Sequence, residues 1–163
     1  MKTLLIVYHS RTGGTAQMAR AAARGARAEA EIRTRLLTAE AARAEDLLAA
    51  EAYIFAAPEN SAALSGEMKE FFDRAYYPAL GRIEGRRYAS LICAGSDGTN
   101  AARQIARITT GWRLQAAAEP LIVCTHAQTP EAILAEKVLR QEDLAACAAL
   151  GEAMAAGLAA GIF

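Results

Sequence analysis

The chain has 163 residues, 53% hydrophobic and 22% charged, a length that fits one domain, residues 1–163, with a proper core. Its 18 basic and 18 acidic residues give a formal net charge of zero, and no basic stripe interleaved with aromatics appears, so nucleic acid is not expected as a partner. Cys93, Cys124 and Cys147 are odd in number, lack CxxC spacing and each sit in an apolar segment. They read as buried small hydrophobes, with no disulfide framework and no metal site.

Taken in order, Thr3 to Tyr8 is a near-continuous apolar run that suits a parallel strand buried on both faces. It is too short and too soon interrupted to be a signal peptide, which points to a cytoplasmic chain. A helix follows from about Gly14 to Arg27. Glu31 to Leu37 alternates Ile32, Thr34 and Leu36 with charged residues, the pattern of a half-exposed strand at a sheet edge. Ala42 to Ala50 carries a short helix, Ala52 to Ala57 a third strand, and Pro58 to Leu64 a loop. Ser65 stands where a helix N-cap belongs, before Met68, Phe71, Phe72, Ala75 and Tyr76 at helical spacing, and Pro78 marks the stop.

Tyr88 to Ala94 reads as strand four, Gly95 to Asn100 as a polar loop, Ala101 to Thr110 as a helix and Ala116 to Thr125 as strand five. Thr129-Pro130-Glu131 opens a helix with a cap, a proline at the first position and an acid in the first turn, and a break near Gln141 precedes the last helix. Leu144 to Phe163 approaches bilayer-spanning length, but its Ala and Gly supply little apolar surface. A terminal helix covering a sheet is expected there, not a membrane span. Much of the apolar composition is Ala, which favours helix and close helix packing.

Strands alternating with helices make an α/β three-layer sandwich with a five-stranded parallel sheet the economical fold. Strand order 2-1-3-4-5 fits the short chain. Ligands in such sheets bind beyond the carboxyl ends of the strands, where the order reverses between strands one and three.

The stretch Ser10-Arg11-Thr12-Gly13-Gly14-Thr15 lies at that point. The first N–H groups of a helix lack partners and carry the positive end of the macrodipole, so an anion is welcome there. Gly13 and Gly14 allow close backbone approach, and Ser10, Thr12 and Thr15 offer hydroxyl donors. A turn capped by Thr12 or Thr15 is the alternative. A triphosphatase loop is excluded, because it needs a lysine and none stands between Lys2 and Lys69; the GxGxxG fingerprint is absent too.

Ser-x-Thr-Gly-x-Thr directly after the first strand resembles the FMN phosphate loop of flavodoxins and flavodoxin-like reductases. Pro58 followed by Ser65-Gly66-Glu67-Met68-Lys69-Glu70-Phe71-Phe72-Asp73-Arg74 is similar to the stretch after strand three in NAD(P)H-dependent FMN and quinone reductases of that superfamily. Ala94-Gly95-Ser96-Asp97-Gly98 sits where their third flavin loop belongs. The resemblance implies that Ser10 to Thr15 takes the FMN phosphate, while Pro58, Glu59, Asn60 and Ser61, with Ala94, Gly95, Ser96, Asp97 and Gly98, flank the isoalloxazine. Backbone N–H groups near Glu59, Asn60, Gly95 and Ser96 are its tuning candidates, and the redox chemistry belongs to the flavin.

The second and third loops contain no aromatic residue, unlike the ring sandwich usual in carrier flavodoxins. The zero net charge also departs from the acidic surface of those carriers. Both favour a reductase moving electrons from NAD(P)H to a quinone, flavin or other small acceptor; the resemblance to such reductases further implies a homo-oligomer in which a second subunit completes the open ring face. A flavodoxin-type carrier serving a redox protein partner is the alternative. Arg11 is a candidate contact for the phosphate or for the 2′-phosphate of NADPH; Tyr8, His9 and Tyr76 read as structural.

Three further readings carry less. His9 and His126 would lie three strand spacings apart, about 14 Å, too far to share an ion. Ser96 with His126 resembles a serine hydrolase elbow but lacks a placed acid. A response-regulator receiver needs acids where His9, Ser10 and Pro58 stand.

Overall fold

The computed structural model describes residues 1–163. Strands β1 (Lys2–Tyr8), β2 (Ile32–Thr38), β3 (Ala52–Asn60) and β5 (Arg87–Ala94) pair in parallel, in the order β2-β1-β3-β5. The far edge of β5 is completed by β6 (Gln115–Ala116) and β7 (Leu121–Cys124), so the strand order expected from sequence holds. Helices α1 (Gly14–Ala26) and α6 (Gln141–Ala159) cover one face; α2 (Ala44–Leu48), α3 (Gly66–Ala79) and α4 (Thr99–Gly111) cover the other.

Alternation along β1 divides the core. Leu5 and Val7 join Tyr53, Phe55, Phe71, Phe72, Ile92 and Trp112 on the α3 and α4 side, whereas Leu4 and Ile6 join Ile54, Leu91 and the alanines of α1. The aromatic side locks by edge and tilted contacts, Phe55 to Phe72 at 5.1 Å and Phe72 to Trp112 at 5.7 Å between centroids. Tyr76 stacks on Trp112 at 5.7 Å, which places it in packing, as its spacing implied. The other side is packed from small residues. A Cβ at Gly25 would strike the Ala148 carbonyl, and one at Gly151 the Ala22 carbonyl, so the backbones of α1 and α6 meet directly.

The structure departs from the sequence expectation at three places. Pro58 to Leu64 is not a loop: Pro58, Glu59 and Asn60 extend β3, which turns through Ser61 and Ala62 into an antiparallel β4 (Ala63–Leu64). Strand five is interrupted. Tyr88 pairs with Ala116 and accepts from Ala117 N at 2.8 Å, but Leu91 pairs with Leu121, so Ala118 to Pro120 leave the ladder, where Pro120 has no N–H to donate. Ser65 precedes α3 without capping it through its side chain; its Oγ lies 3.0 Å from His9 Nδ1 instead.

Elsewhere the boundaries agree closely. Thr129 caps α5 (Pro130–Leu134) by accepting from Ala132 N at 3.2 Å, with Pro130 at the first helical position. Pro78 lies in the last turn of α3, one residue from its end. Cys93 and Cys147 are buried, whereas Cys124 is only half-buried because β7 is an edge. No helix is long and apolar enough to cross a membrane, and no group of three or more His, Cys, Asp or Glu residues could hold a metal ion.

Candidate functional site

Beyond the carboxyl ends of β1, β3 and β5 two adjoining cavities open. The deeper one is lined by Ser10, Arg11, Thr12, Gly14 and Thr15, together with Pro58, Glu59, Asn60, Ala94 and Gly95. The outer one shares Arg11, Thr12, Pro58, Glu59, Asn60 and Gly95 and adds Ser61, Ala62, Ser96 and Asp97. Three polar segments read from sequence thus meet at one place. Gly98 lies behind them, buried at the start of α4, where its φ of 88° and the Ile122 side chain beneath it leave no room for a Cβ. Gly13 is half-buried and does not line the deeper cavity; it takes the left-handed region at φ 94°.

The loop Ser10 to Thr15 leaves the start of α1 without a capping partner. Gly13 is the N-cap of α1 and offers no side-chain cap, and the first turn contains no acidic residue, so the positive end of the helix is left uncompensated. Ser10 Oγ accepts from Gly13 N at 3.2 Å and keeps its own proton for a ligand. Thr15 Oγ1 is buried without a hydrogen-bond partner. A buried hydroxyl left unpaired costs about 1–3 kcal/mol, and a phosphate oxygen at the cavity would satisfy it. Neither Thr12 nor Thr15 caps the helix, so the capped-turn alternative does not describe this junction.

The equivalent terminus of α4 is already filled. Glu59 on β3 accepts from Gly98 N and Ala101 N, each at 3.0 Å, through its two carboxylate oxygens. Its side chain therefore neutralises α4, a role the sequence does not reveal. Ser96 makes no side-chain hydrogen bond to His126, the pairing a serine hydrolase would need. Asp97 is engaged locally with Thr99, whose hydroxyl lies 2.8 Å from Oδ1.

A fourth wall comes from a segment that sequence reasoning left out of the site. Thr125, Ala127, Ile133 and Lys137 line the deeper cavity, and Gln128, Ile133 and Leu134 the outer one. Gln17 ties this strap to α1: its Nε2 donates to Gly13 O at 3.0 Å and to Lys137 O at 2.6 Å, and its Oε1 accepts from Leu139 N at 3.1 Å. Lys137 N donates to Thr12 O at 2.8 Å, and its ammonium donates to Ala132 O and Ile133 O, each at 2.9 Å, at the end of α5. Lys137 thus holds the wall, its ammonium spent on backbone carbonyls.

Cys93 forms the floor under Gly14, where an added Cβ would meet its sulfur. Burial pushes this thiol up to about 11, so it is neutral at physiological pH and adds no negative charge beside a phosphate. Burial also raises Cys124, with Asp97 adding to the shift. Arg11 is exposed at the mouth of both cavities and is engaged by no acid or hydrogen bond. His9 is braced by Ser65 and Glu67. No aromatic side chain lines either cavity, and Tyr77 lies exposed elsewhere.

A parallel sheet of this order, with its ligand loops gathered at the crossover, defines a flavodoxin-like α/β protein. Its architecture is similar to that of a flavodoxin from the domain Archaea, with a TM-score of 0.78 at 19% identity over 96% of this chain and 99% of that one. The flavodoxin WrbA-like protein of Agrobacterium tumefaciens is similar at a TM-score of 0.73 and 20% identity, covering 96% of each chain. In sequence, a flavodoxin of Aquifex aeolicus (strain VF5) is 34% identical over 98 residues, which is 60% of this chain and 53% of that protein. The chain thus matches about half the length of that relative. Residues 37–128 match the family model of NADPH-dependent FMN reductases, and the chain belongs to this family of flavodoxin-like, FMN-binding proteins. The match takes in the β3–β4 hairpin and the Ala94 to Gly98 loop.

Proposed function

We propose that the protein is an NAD(P)H-dependent oxidoreductase that passes electrons through FMN to a quinone, a free flavin or another small acceptor. The observation that carries this reading is the absence of any aromatic side chain from the lining of the outer cavity. Its lining includes the aliphatic Ile133 and Leu134, and with no aromatic side chain to cover a bound flavin a second planar ring would have room to stack. Membership of the NADPH-dependent FMN reductase family supports the same donor.

The residues fit FMN. The α1 amides with Ser10, Thr12 and Thr15 would hold the phosphate, and the unpaired Thr15 hydroxyl is the strongest sign of it. Pro58 to Ser61 and Ala94 to Asp97 would flank the ring, with the strap at its side. When bound, FMN supplies the redox chemistry, accepting a hydride from a nicotinamide and passing the electrons on. The chain would contribute position: backbone amides near Glu59, Asn60, Gly95 and Ser96 would face the ring edge, and no side-chain acid or base is assigned to the transfer. Gly98, buried behind the third loop, shapes it rather than touching the ring.

Arg11 is our candidate for donor selection, since a free guanidinium at the mouth is matched to the 2′-phosphate that distinguishes NADPH from NADH. Arg11→Ala is expected to raise KM for NADPH about tenfold, the worth of one charge-assisted contact, and to leave KM for NADH unchanged. Steady-state oxidation of each nucleotide, with FMN and a quinone supplied, checks this and the activity together. NADPH oxidation that proceeds only with an added reductase protein would support the carrier alternative. A cytoplasmic location and completion of the open face by a second subunit belong to the same proposal.

A further inference from the structure

The tip of the β3–β4 hairpin is strained. Ser61 and Ala62 both occupy the left-handed region, at φ 50° and 60°, and each carries a Cβ. A two-residue turn with both central φ values positive is the type I′ geometry, for which Asn-Gly is the favoured pair. Left-handed non-glycine residues persist only where their surroundings enforce the conformation. Ser61 and Ala62 are exposed and line the outer cavity, so no core packing supplies that restraint.

The β3–β4 pairing, Asn60 with Ala63 and Glu59 with Leu64, closes the turn, and α4 adds side-chain bonds that hold it. Asn100 Nδ2 donates to Ala62 O at 2.7 Å, at the strained residue itself. Gln104, one turn further along the same helix, accepts from Leu64 N at 2.6 Å. Glu59, at the base of the other strand, accepts from Gly98 N and Ala101 N and so fastens the hairpin to the start of α4. The β4 strand is held from outside the cavities by Asn100 and Gln104, and the β3 strand by Glu59, which itself lines them.

We infer that Asn100 and Gln104 are positioning residues for the ring site: they hold the Ser61–Ala62 turn in its left-handed form and thereby set how tightly the flavin ring is gripped. This rests on the FMN reading above. Neither residue lines the deeper or the outer cavity, so they act through the turn. Losing the Asn100 bond lets Ala62 relax to negative φ and moves the cavity wall with it.

The test is FMN titration of the apoprotein, followed by flavin fluorescence and visible circular dichroism, for the native chain, Asn100→Ala, Gln104→Leu, Ala62→Gly and the Asn100→Ala/Ala62→Gly pair. Asn100→Ala and Gln104→Leu are expected to raise the FMN Kd about tenfold and to change the visible dichroism, with unaltered far-ultraviolet spectra. Ala62→Gly removes the cost of positive φ, so in the Asn100→Ala background it is expected to restore most of the lost affinity. A general loss of folding would not be rescued by a glycine, and unaltered affinity in Asn100→Ala and Gln104→Leu, or failure of the rescue, overturns the inference. A native chain that shows no saturable FMN binding removes the FMN reading first, and the inference falls with it.

Discussion

Thr12→Glu is expected to raise the FMN Kd by about a thousandfold while the apoprotein stays folded. Thr12 is half-buried at the junction of the two cavities, with room for a longer side chain toward the mouth. A carboxylate about 4 Å from a phosphate charge is opposed by about 4 kcal/mol at an effective dielectric of about 20, which is close to three decades in affinity. Riboflavin lacks the phosphate, so its weaker binding is expected to be nearly unchanged by the same substitution. That contrast separates electrostatic exclusion of phosphate from damage to the ring site.

Thr15→Val complements it with two effects of opposite sign. The Thr15 hydroxyl has no partner within the chain, so replacing it with a methyl removes an unsatisfied buried oxygen and is expected to raise the apoprotein Tm by a few degrees. It also removes a donor to the phosphate, and FMN affinity is expected to fall about tenfold. Isothermal titration and thermal unfolding on one preparation read both. A site built for stability alone would move both quantities the same way.

The second large effect concerns the helix pair that carries the phosphate loop. Gly151→Leu places a side chain where the Ala22 carbonyl of α1 lies, and helix backbones cannot give way as a flexible side chain can. Overpacking of this kind costs about 3 kcal/mol or more, a fall in Tm of about 10 °C for a chain of this size. Gly25→Leu meets the Ala148 carbonyl of α6 and is expected to behave alike. Gly66→Ala is the control. Its Cβ would enter open space at the start of α3, and a gain of up to about 1 kcal/mol is expected from the stiffer unfolded chain. Because α1 begins at Gly14, moving its axis also displaces the anion site, so FMN affinity should fall with stability in Gly151→Leu but not in Gly66→Ala.

The fold was legible where local chemistry and tertiary demand agree. The branched run before Tyr8, the glycine pair after Thr12 and the Thr129-Pro130-Glu131 helix start each behave as their residues dictate. The close α1–α6 crossing followed from alanine content, although which glycines touch required coordinates. The hairpin is hidden in the sequence because its tip is Ser-Ala, a poor type I′ pair supported by Asn100 and Gln104 from a helix distant in the chain. Glu59 was read as a backbone contributor because nothing local announces a cap that spans from β3 to α4. The strap escaped for the same reason: Gln17 and Lys137 are 120 residues apart and meet only in the folded chain. Splitting of the last strand was signalled by Pro120, whose missing N–H the apolar run around it obscured.

The open ring face is the claim on which the proposed activity depends. The native chain, loaded with FMN and desalted, would be mixed with NADPH under anaerobic conditions and its visible absorption followed in a stopped-flow instrument. Bleaching of the flavin band at a rate that saturates with NADPH, and that slows in Arg11→Ala, is the predicted result. Retained flavin that stays oxidised with excess NADPH yet bleaches with dithionite would contradict it, and would assign the protein to electron carriage fed by a partner.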